Sequence, residues 1–321
     1  MPATVFVSRP IPQPGLDVLA TAGLRTEVNP EDRALTTEEL VRYCRGKDGL
    51  LCFLNDIIDR DFLDQAETLK AISTMSAGFD HIDLEAARER SIPISNTPGV
   101  LTNSTAELTW ALILAVARRI PEATRYIRGG EFVGWGPMLL LGSELAGKTL
   151  GIIGAGRIGT AVGLKSLAFG MKLIYLDPIR NRKLEKQTGA VQATLKDLLA
   201  ESDFVTLHLP LTEDTRCLIG RGELRRMKNT AFLINTSRGP VIDEEALTEA
   251  LREQEIAGAG MDVYEKEPHV HPGLLTLQNV VLLPHIGSAT TETRTRMAVM
   301  AAEDLVAMLA GKTPLNPVPL P

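Results

Sequence analysis

The sequence has few of the features that place a protein in a membrane or in an oxidising compartment. Its 321 residues include only three cysteines, Cys44, Cys52 and Cys217, without metal-ligand spacing, which argues against a disulfide scaffold and a metal site. The longest near-apolar run, residues 110–117, is far below the roughly 18 residues that a membrane span needs. No basic segment followed by a long apolar stretch precedes the strand-like residues 5–7. We therefore expect a cytoplasmic protein without a membrane partner.

An excess of positive charge is also absent. The chain carries 34 basic and 40 acidic residues, so its formal net charge is -6 at pH 7. A net charge of this sign does not steer a protein onto nucleic acid or anionic lipid, and we expect no nucleic-acid partner. An anionic substrate would have to meet local cationic side chains.

The length and the hydrophobic content of 44% suffice for two domains, because single cores stop growing at roughly 250–300 residues. Short β-rich segments alternate with amphipathic segments, a pattern typical of parallel sheets with crossover helices. The predicted strands form two groups: residues 4–8, 49–54, 71–75 and 92–95, then residues 149–153, 172–176, 204–207, 231–235, 257–261 and 280–283.

Three segments between and after these groups have distinct patterns. Ser104 and Glu107 fit a capping box that opens a helical stretch over residues 108–120, apolar on nearly every face. Residues 129–142 contain five glycines and indicate a long excursion loop. A last helix is predicted over residues 291–310, and by its length we expect it to pack back onto the first domain.

A glycine-rich motif follows the first strand of the second group. Residues 154–159 read GAGRIG, with Gly154, Gly156 and Gly159 in the G-x-G-x-x-G positions and Arg157 and Ile158 between them. An apolar strand precedes the motif, and a helical stretch follows it. This context predicts a dinucleotide site in which helix N-terminal amides face the pyrophosphate. The alternative is a glycine turn in a non-binding α/β domain.

The residues after the next strand bear on the choice between NAD and NADP. Asp177 ends that strand and can bind the adenosine ribose hydroxyls, which favours NAD because a carboxylate repels a 2'-phosphate. Arg180 and Arg182 follow closely and could hold such a phosphate, or could be solvated surface charges. We therefore expect NAD(H) to be preferred and NADP(H) to be possible.

Chemistry-bearing residues follow the later strands of the second group. Ligands of an open parallel sheet bind beyond the carboxyl ends of its strands, so these residues are candidates for the cofactor and substrate site. They are His208, Pro210, Thr236, Arg238, Asp262, His285 and Gly287. One arginine, one aspartate and two histidines thus meet where a nicotinamide is expected.

This set suits the reduction of a carboxylated carbonyl. Hydride delivery to a carbonyl builds negative charge on oxygen, and a histidine is a suitable proton donor. An arginine offers a forked partner to the substrate carboxylate. A buried acid beside the histidine would orient its ring, and the candidates are Asp262, Glu265 and Glu267.

Each of these assignments has a structural alternative. A lone histidine after a strand is more often structural, which we favour for His81, His208, His269 and His271. Arg238 could form a surface ion pair, and Asp262 could cap a helix or a turn.

Four segments resemble the D-isomer-specific 2-hydroxyacid dehydrogenase family. Residues 235–243 (NTSRGPVID) look like its arginine-bearing signature, and residues 198–210 (LLAESDFVTLHLP) are similar to a second signature. Residues 284–289 (PHIGSA) resemble its histidine motif. Residues 262–268 (DVYEKEP) look like the segment whose glutamate before proline pairs with that histidine. The match spans nearly the whole chain in order.

The resemblance implies an α/β fold of two doubly wound parallel-sheet domains. A Rossmann-type cofactor domain, residues 100–286, would be inserted into a flavodoxin-like substrate domain made of residues 1–99 and 287–321. It also implies a homodimer formed through the cofactor domain.

The resemblance further implies roles for individual residues. Arg238 would bind the substrate carboxylate and carbonyl, His285 would donate the proton, and Glu267 would pair with His285. Substrate-binding roles also fall on Leu54, Ala77, Gly78 and Ser288, with backbone amides of the 76–78 segment facing the carboxylate. Asp262 would lie near the nicotinamide amide.

Within this family the chain is most similar to the glyoxylate/hydroxypyruvate reductases. The similarity rests on residues 49–56 (GLLCFLND), 74–81 (TMSAGFDH) and 135–137 (WGP), and Leu54 would narrow the substrate pocket. The chain departs from these relatives at Met138 and Leu139 and in residues 268–271 (PHVH), which leaves the substrate side chain open.

The sequence thus predicts NAD(P)H-dependent reduction of glyoxylate or hydroxypyruvate. Another reading keeps the chemistry but changes the substrate to 3-phosphoglycerate, phosphite, formate or a bulkier 2-oxoacid. The apolar residues Leu51, Phe53 and Leu54 argue against the phosphorylated substrate. A further reading is a non-catalytic dinucleotide sensor, since one branch of the family acts as a transcriptional corepressor.

Overall fold

The computed structural model describes residues 2–321 and contains two compact units, each with its own parallel sheet. The first unit comprises the chain up to Leu101 together with Ser288–Pro321, and the second comprises Thr102–Gly287. These boundaries lie within two residues of those expected from the sequence. The assignment of substrate binding to the first unit and cofactor binding to the second stays a prediction.

The first unit has a five-stranded, fully parallel sheet in the order β2-β1-β3-β4-β5. This is the strand order of flavodoxin-like doubly wound folds, as predicted. The strands are β1 (Thr4–Val7), β2 (Arg25–Val28), β3 (Gly49–Cys52), β4 (Ala71–Thr74) and β5 (Ile94–Ser95).

Helices cover both faces of this sheet, which explains why every residue of β3 and β4 is buried. They are α1 (Gln13–Thr21), α2 (Thr37–Cys44), α3 (Arg60–Gln65), α4 (Leu84–Glu89) and, last in the chain, α13 (Thr291–Leu309). Leu40 of α2 and Phe62 of α3 belong to one core layer, and Leu19 of α1 and Leu305 of α13 belong to the other. The last helix therefore packs on the first sheet, as expected.

The second unit has a seven-stranded parallel sheet in the order β12-β11-β10-β9-β6-β7-β8. This is the Rossmann order with a seventh strand added, and the strand order reverses between β6 and β9. The strands are β6 (Thr149–Ile153), β7 (Lys172–Leu176), β8 (Val191–Gln192), β9 (Phe204–Leu207), β10 (Phe232–Asn235), β11 (Gly258–Met261) and β12 (Val280–Leu282).

Eight helices accompany the second sheet, and the long α5 contributes Trp110, Leu112 and Ile113 to its core. They are α5 (Thr102–Ala117), α6 (Ile120–Arg128), α7 (Arg157–Ser166), α8 (Arg182–Thr188), α9 (Leu195–Glu201), α10 (Arg221–Leu224), α11 (Glu244–Arg252) and α12 (Pro272–Leu275). Short 3-10 turns span Leu167–Phe169 and Gly239–Val241.

The start of α5 corrects one prediction. The helix begins at Thr102, so Ser104 lies inside it and does not cap it. A serine and a glutamate three residues apart also fit a helix interior, and the motif alone does not locate the helix start. The helix ends at Ala117 because Arg119 adopts a left-handed conformation with φ 54°, and α6 begins at Ile120.

All ten predicted strands are present, whereas β2, β8 and α6 were not predicted. β2 and β8 are edge strands with exposed residues and lack a continuous apolar run. Residues 129–148 contain neither helix nor strand in the described chain, in agreement with the predicted loop. Between residues 2 and 321, no helix is long and apolar enough to cross a membrane.

Candidate active site

The glycine motif forms a tight turn between β6 and α7. Gly154 has φ +94°, and a Cβ there would lie 2.5 Å from the carbonyl oxygen of His208. A Cβ on Gly159 would lie 2.0 Å from the carbonyl oxygen of Gly154, so both positions require glycine. Gly156 is exposed and is the N-cap of α7, so no side chain there competes for the first amides of the helix. Exposed Arg157 and half-buried Ile158 follow it, and this cradle fits a pyrophosphate.

Asp177, which follows β7, is fixed beside this turn. Its Oδ2 accepts the backbone N–H of Ala155 at 2.8 Å, and its Oδ1 accepts the backbone N–H of Ile179 at 2.8 Å. Asn181, a residue that sequence reasoning missed, donates from Nδ2 to the carbonyl oxygen of Ala155 and to Oγ1 of Thr160, at 2.8 Å each. Asp177 and Asn181 thus hold the loop from outside the motif.

The two arginines near Asp177 have different surroundings. Arg180 forms an exposed ion pair in which its Nε lies 3.0 Å from Oε1 of Glu185. Arg182 is the first residue of α8 and is exposed.

His285 and Glu267 form a hydrogen-bonded pair near the carboxyl edge of the second sheet. Nδ1 of His285 lies 2.8 Å from Oε2 of Glu267. The other carboxylate oxygen of Glu267 accepts the backbone N–H of Tyr264 at 3.1 Å. Of the three acids considered from the sequence, Glu267 is the one that contacts the histidine, whereas Glu265 is exposed.

The electrostatic surroundings keep Glu267 ionised. Burial raises the pKa of this carboxyl, but the hydrogen bond and charge of His285, the Tyr264 amide and the charge of Arg238 together hold the pKa below its usual value. Glu267 is therefore a carboxylate that can fix the ring orientation of His285.

Asp262 holds the segment that follows His285. Its Oδ1 and Oδ2 accept the backbone N–H groups of Ile286 and Gly287, each at 2.8 Å, and burial raises the pKa of this carboxyl. Gly287 also accepts a hydrogen bond from Oγ1 of Thr105 through its carbonyl oxygen, at 3.2 Å. These contacts match the turn-cap alternative, and a contact of Asp262 with the nicotinamide stays a prediction.

Arg238 lies just after β10, and the side chain of Asn235 fixes the backbone around it. The side chain of Asn235 accepts the Ser237 N–H at 2.9 Å and donates to the carbonyl oxygen of Arg238 at 2.9 Å. Arg238 itself donates from Nη1 to the carbonyl oxygen of Ser237 at 2.9 Å. Thr236 hydrogen-bonds through Oγ1 to Oγ1 of Thr109, at 2.9 Å.

His208 follows β9, and its backbone lies against Gly154. Neither ring nitrogen has a hydrogen-bond partner among residues 2–321, and burial lowers the pKa of the ring to about 3. The ring is therefore neutral near pH 7. Pro210 is exposed, and its carbonyl oxygen accepts a hydrogen bond from Oγ1 of Thr215 at 2.8 Å.

The other histidines have structural or exposed positions. His269 is exposed, and Nδ1 of His271 accepts the backbone N–H of Gly273 at 3.2 Å at the start of α12. Nε2 of His81 lies 3.2 Å from Oγ1 of Thr74. In the described part of the chain, no cluster of three or more histidine, cysteine or acidic residues is arranged to hold a metal ion.

Four predicted substrate residues lie in the first unit. Leu54, Ala77, Gly78 and Ser288 are all half-buried. The carbonyl oxygen of Ala77 accepts a hydrogen bond from Nδ2 of Asn96 at 2.7 Å, and that of Gly78 accepts one from Oγ of Ser76 at 2.5 Å. The segment that bears Ala77 and Gly78 is thereby fixed.

Comparisons with known proteins identify the family of this chain. Residues 110–287 match the model of the D-isomer specific 2-hydroxyacid dehydrogenase, NAD binding domain. The chain is 50% identical to the glyoxylate reductase of Aeropyrum pernix over 318 residues, which cover 97% of this chain and 94% of the relative.

Solved structures show the same likeness. A protein from Thermus thermophilus superposes with a TM-score of 0.93 at 46% identity, over 98% of this chain and all of its own. An NADPH-dependent glyoxylate/hydroxypyruvate reductase from Sinorhizobium meliloti, in complex with NADP and malonate, gives a TM-score of 0.86 at 30% identity, over 99% of this chain and 97% of its own.

The fold and the paired histidine and glutamate define a dinucleotide-dependent oxidoreductase of the doubly wound α/β class. The chain belongs to the D-isomer specific 2-hydroxyacid dehydrogenase family. The resemblance read from the sequence is thereby confirmed.

The neutral state of His208 predicts a pH dependence of stability. The unfolded chain takes up a proton on this ring below pH 6.5, whereas the folded chain does not until about pH 3, so stability is lost as the pH falls from 6.5 toward 3. Because of this ring, the free energy of unfolding of the wild type should fall by about 2 kcal/mol between pH 7 and pH 5. We expect His208→Leu to abolish that decrease.

Urea denaturation of the ligand-free protein at both pH values measures this difference. His269→Leu, at an exposed histidine, is the matched control and should unfold with the pH dependence of the wild type. Equal pH dependence in His208→Leu and the wild type would contradict the neutral state of His208.

Proposed function

We propose that this enzyme reduces a small 2-oxoacid, glyoxylate or hydroxypyruvate, to glycolate or the corresponding D-2-hydroxyacid with NAD(P)H. The observation that carries the proposal is the hydrogen bond between His285 and the ionised carboxylate of Glu267. Arg238 lies close enough for its positive charge to lower the pKa of that carboxylate. The name of the Aeropyrum pernix relative, 50% identical over nearly the whole chain, supports the choice of substrate.

Each of the three side chains has a distinct task. The dinucleotide, when bound, supplies the hydride. His285 donates a proton to the carbonyl oxygen as negative charge builds there, and Glu267 orients its ring and stabilises its protonated form. Arg238 binds the substrate carboxylate through its forked guanidinium and polarises the carbonyl.

The contacts of the second unit support our assignment of the cofactor residues. The amides around Gly154, Gly156, Arg157, Ile158 and Gly159 would bind the pyrophosphate, and Asp177 would bind the adenosine ribose. The remaining residues that we assign to the cofactor are His208, Pro210, Thr236, Asp262 and Gly287.

We favour NAD(H) over NADP(H). Asp177 is fixed at the end of β7, and the ion pair with Glu185 engages Arg180. Arg182 is exposed and could still meet a 2'-phosphate, and the Sinorhizobium meliloti neighbour is NADPH-dependent. NADP(H) therefore stays the second candidate.

The substrate assignment includes residues of the first unit. We assign Leu54, Ala77, Gly78 and Ser288 of the first unit, and Arg238 and His285 of the second unit, to the 2-oxoacid. Leu51 is fully buried in the core of the first unit and does not line a pocket, whereas Phe53 and Leu54 are half-buried and apolar, which favours a small substrate over a phosphorylated one. The names of the curated relatives favour an enzyme over a dinucleotide sensor.

We further propose a cytoplasmic homodimer formed through the second unit. Exposed apolar side chains concentrate between residues 120 and 141, and such patches mark interaction sites. They include Ile120, Ile127, Phe132, Val133, Trp135, Met138 and Leu141. Cys44, Cys52 and Cys217 are free thiols, which fits a reducing compartment.

The primary test is oxidation of NADH and of NADPH by the purified protein with glyoxylate, hydroxypyruvate, pyruvate and phenylpyruvate. We expect kcat/KM to be highest for glyoxylate or hydroxypyruvate, and NADH to be the better donor. Tight dinucleotide binding without turnover of any of the four would contradict the proposed function. A higher kcat/KM with phenylpyruvate would contradict the small pocket.

Arg238→Lys tests the carboxylate assignment. A lysine keeps the charge but cannot form the forked contact, so we expect kcat/KM for glyoxylate to fall about 100-fold or more. The measurement is steady-state kinetics, with dinucleotide affinity determined by fluorescence titration. Arg225→Lys, at an exposed arginine that pairs with Glu255, is the control and should retain activity. Activity of Arg238→Lys within twofold of the wild type would refute the assignment.

A further inference from the structure

Glu244 is a buried acid that the proposed reaction does not use. It is the first residue of α11 and is 4% exposed. A buried carboxylate is costly unless hydrogen bonds compensate its lost hydration. Its neighbour Glu245 occupies the same helix turn but is exposed. Both residues can therefore interact favourably with the helix N-terminus. Only Glu244 also has contacts in the protein interior.

The contacts of Glu244 fasten the segment that carries Glu267. Oε1 of Glu244 accepts the backbone N–H of Glu265 at 2.6 Å. Burial raises the pKa of this carboxyl, and the nearby backbone amide of His271 opposes that rise. Residues 265 and 271 lie on either side of Glu267, so one buried carboxylate holds one end of this short segment by a hydrogen bond and lies near the other end.

Residues 264 and 265 also contact the other two catalytic segments. A Cβ on Gly239, next to Arg238, would lie 1.8 Å from the carbonyl carbon of Tyr264, so the two backbones are in direct contact. The hydroxyl of Tyr264 donates to the carbonyl oxygen of Leu283 at 2.8 Å, two residues before His285. The Tyr264 N–H binds Glu267. A shift at this point would therefore move all three side chains relative to one another.

We propose that Glu244 is a positioning residue: it anchors the backbone at Glu265 so that Glu267 faces His285 beside Arg238. This proposal rests on the proposed function. Glu244 forms no hydrogen bond with Glu267 or His285, and it acts through the backbone of residues 265–267. Glu244 acts by holding the backbone in place. The negative charge that Glu244 and Glu245 each carry near the helix N-terminus does not suffice for this role.

Two substitutions separate geometry from charge. Glu244→Gln loses the charge but keeps a carbonyl oxygen for the Glu265 N–H. Glu244→Asp keeps the charge but withdraws the carboxylate by one methylene from the Glu265 amide. We expect kcat to fall about threefold in the Gln variant and about 10- to 100-fold in the Asp variant, because small misplacements of catalytic groups are costly. KM and dinucleotide affinity should change by less than about twofold in both.

Glu245→Gln is the matched control, since it removes the same charge from the same helix turn, and its kcat should equal that of the wild type. A Glu244→Asp enzyme with wild-type kcat would overturn the proposal. A lower kcat in Glu244→Gln than in Glu244→Asp would also overturn it, because the charge of residue 244 would then matter more than the position of its carboxylate. An equal loss of kcat and dinucleotide affinity would indicate general disruption and would also overturn it.

A second readout does not depend on turnover. The proton between Nδ1 of His285 and Glu267 should give a downfield ¹H NMR signal in the wild type, assigned by its loss in His285→Gln. We expect this signal to shift or broaden in Glu244→Asp and to persist in Glu245→Gln. An unchanged signal in Glu244→Asp would contradict the proposal, even if the wild type reduced none of the four oxoacids and the proposed function had failed.

Discussion

The hydrogen bond between His285 and Glu267 is the interaction on which the candidate active site depends. The two residues come from segments after different strands, and the bond forms only because each segment is fixed independently. Glu267 is held through the amide of Tyr264, and the residues after His285 are held by Asp262. The 2.8 Å distance between the two side chains is therefore set mainly by the backbone that holds each of them in place.

The parallel sheet explains why these segments meet. β10, β11 and β12 are hydrogen-bonded neighbours, so their carboxyl ends lie at one edge, where Arg238, Asp262 and His285 follow them. β6 and β9 end at the same edge, with Gly154 and His208 in backbone contact. The sheet thus brings the glycine turn and the segments that carry Arg238, Asp262 and His285 to one side of the second unit.

Much of this arrangement could be predicted because its signals are local. The glycine turn, the arginine and histidine that follow strands, and the alternation of strands with helices are all visible within short windows. Local sequence patterns could not decide which of Asp262, Glu265 and Glu267 contacts the histidine. Side chains of an irregular segment do not alternate regularly between the interior and the surface, so their spacing does not show which acid faces inward. The family resemblance indicated Glu267, and the structure brings that residue into contact with His285.

Other features could not be predicted, for physical reasons. Asn181 and Glu244 act through contacts with residues more than 20 positions away, and nothing in their own neighbourhoods marks those partners. β2 and β8 are edge strands whose exposed side chains lack an apolar pattern. The start of α5 was misplaced because a spacing of three fits a helix interior as well as its first turn.

The most direct test of the account is a double-mutant cycle on kcat/KM for glyoxylate, with Glu267→Gln, His285→Gln and both together. If Glu267 acts by orienting and stabilising His285, the double variant should be no slower than His285→Gln alone. If the losses of the two single variants add in free energy, the two residues act independently, and the central role assigned to their hydrogen bond is wrong.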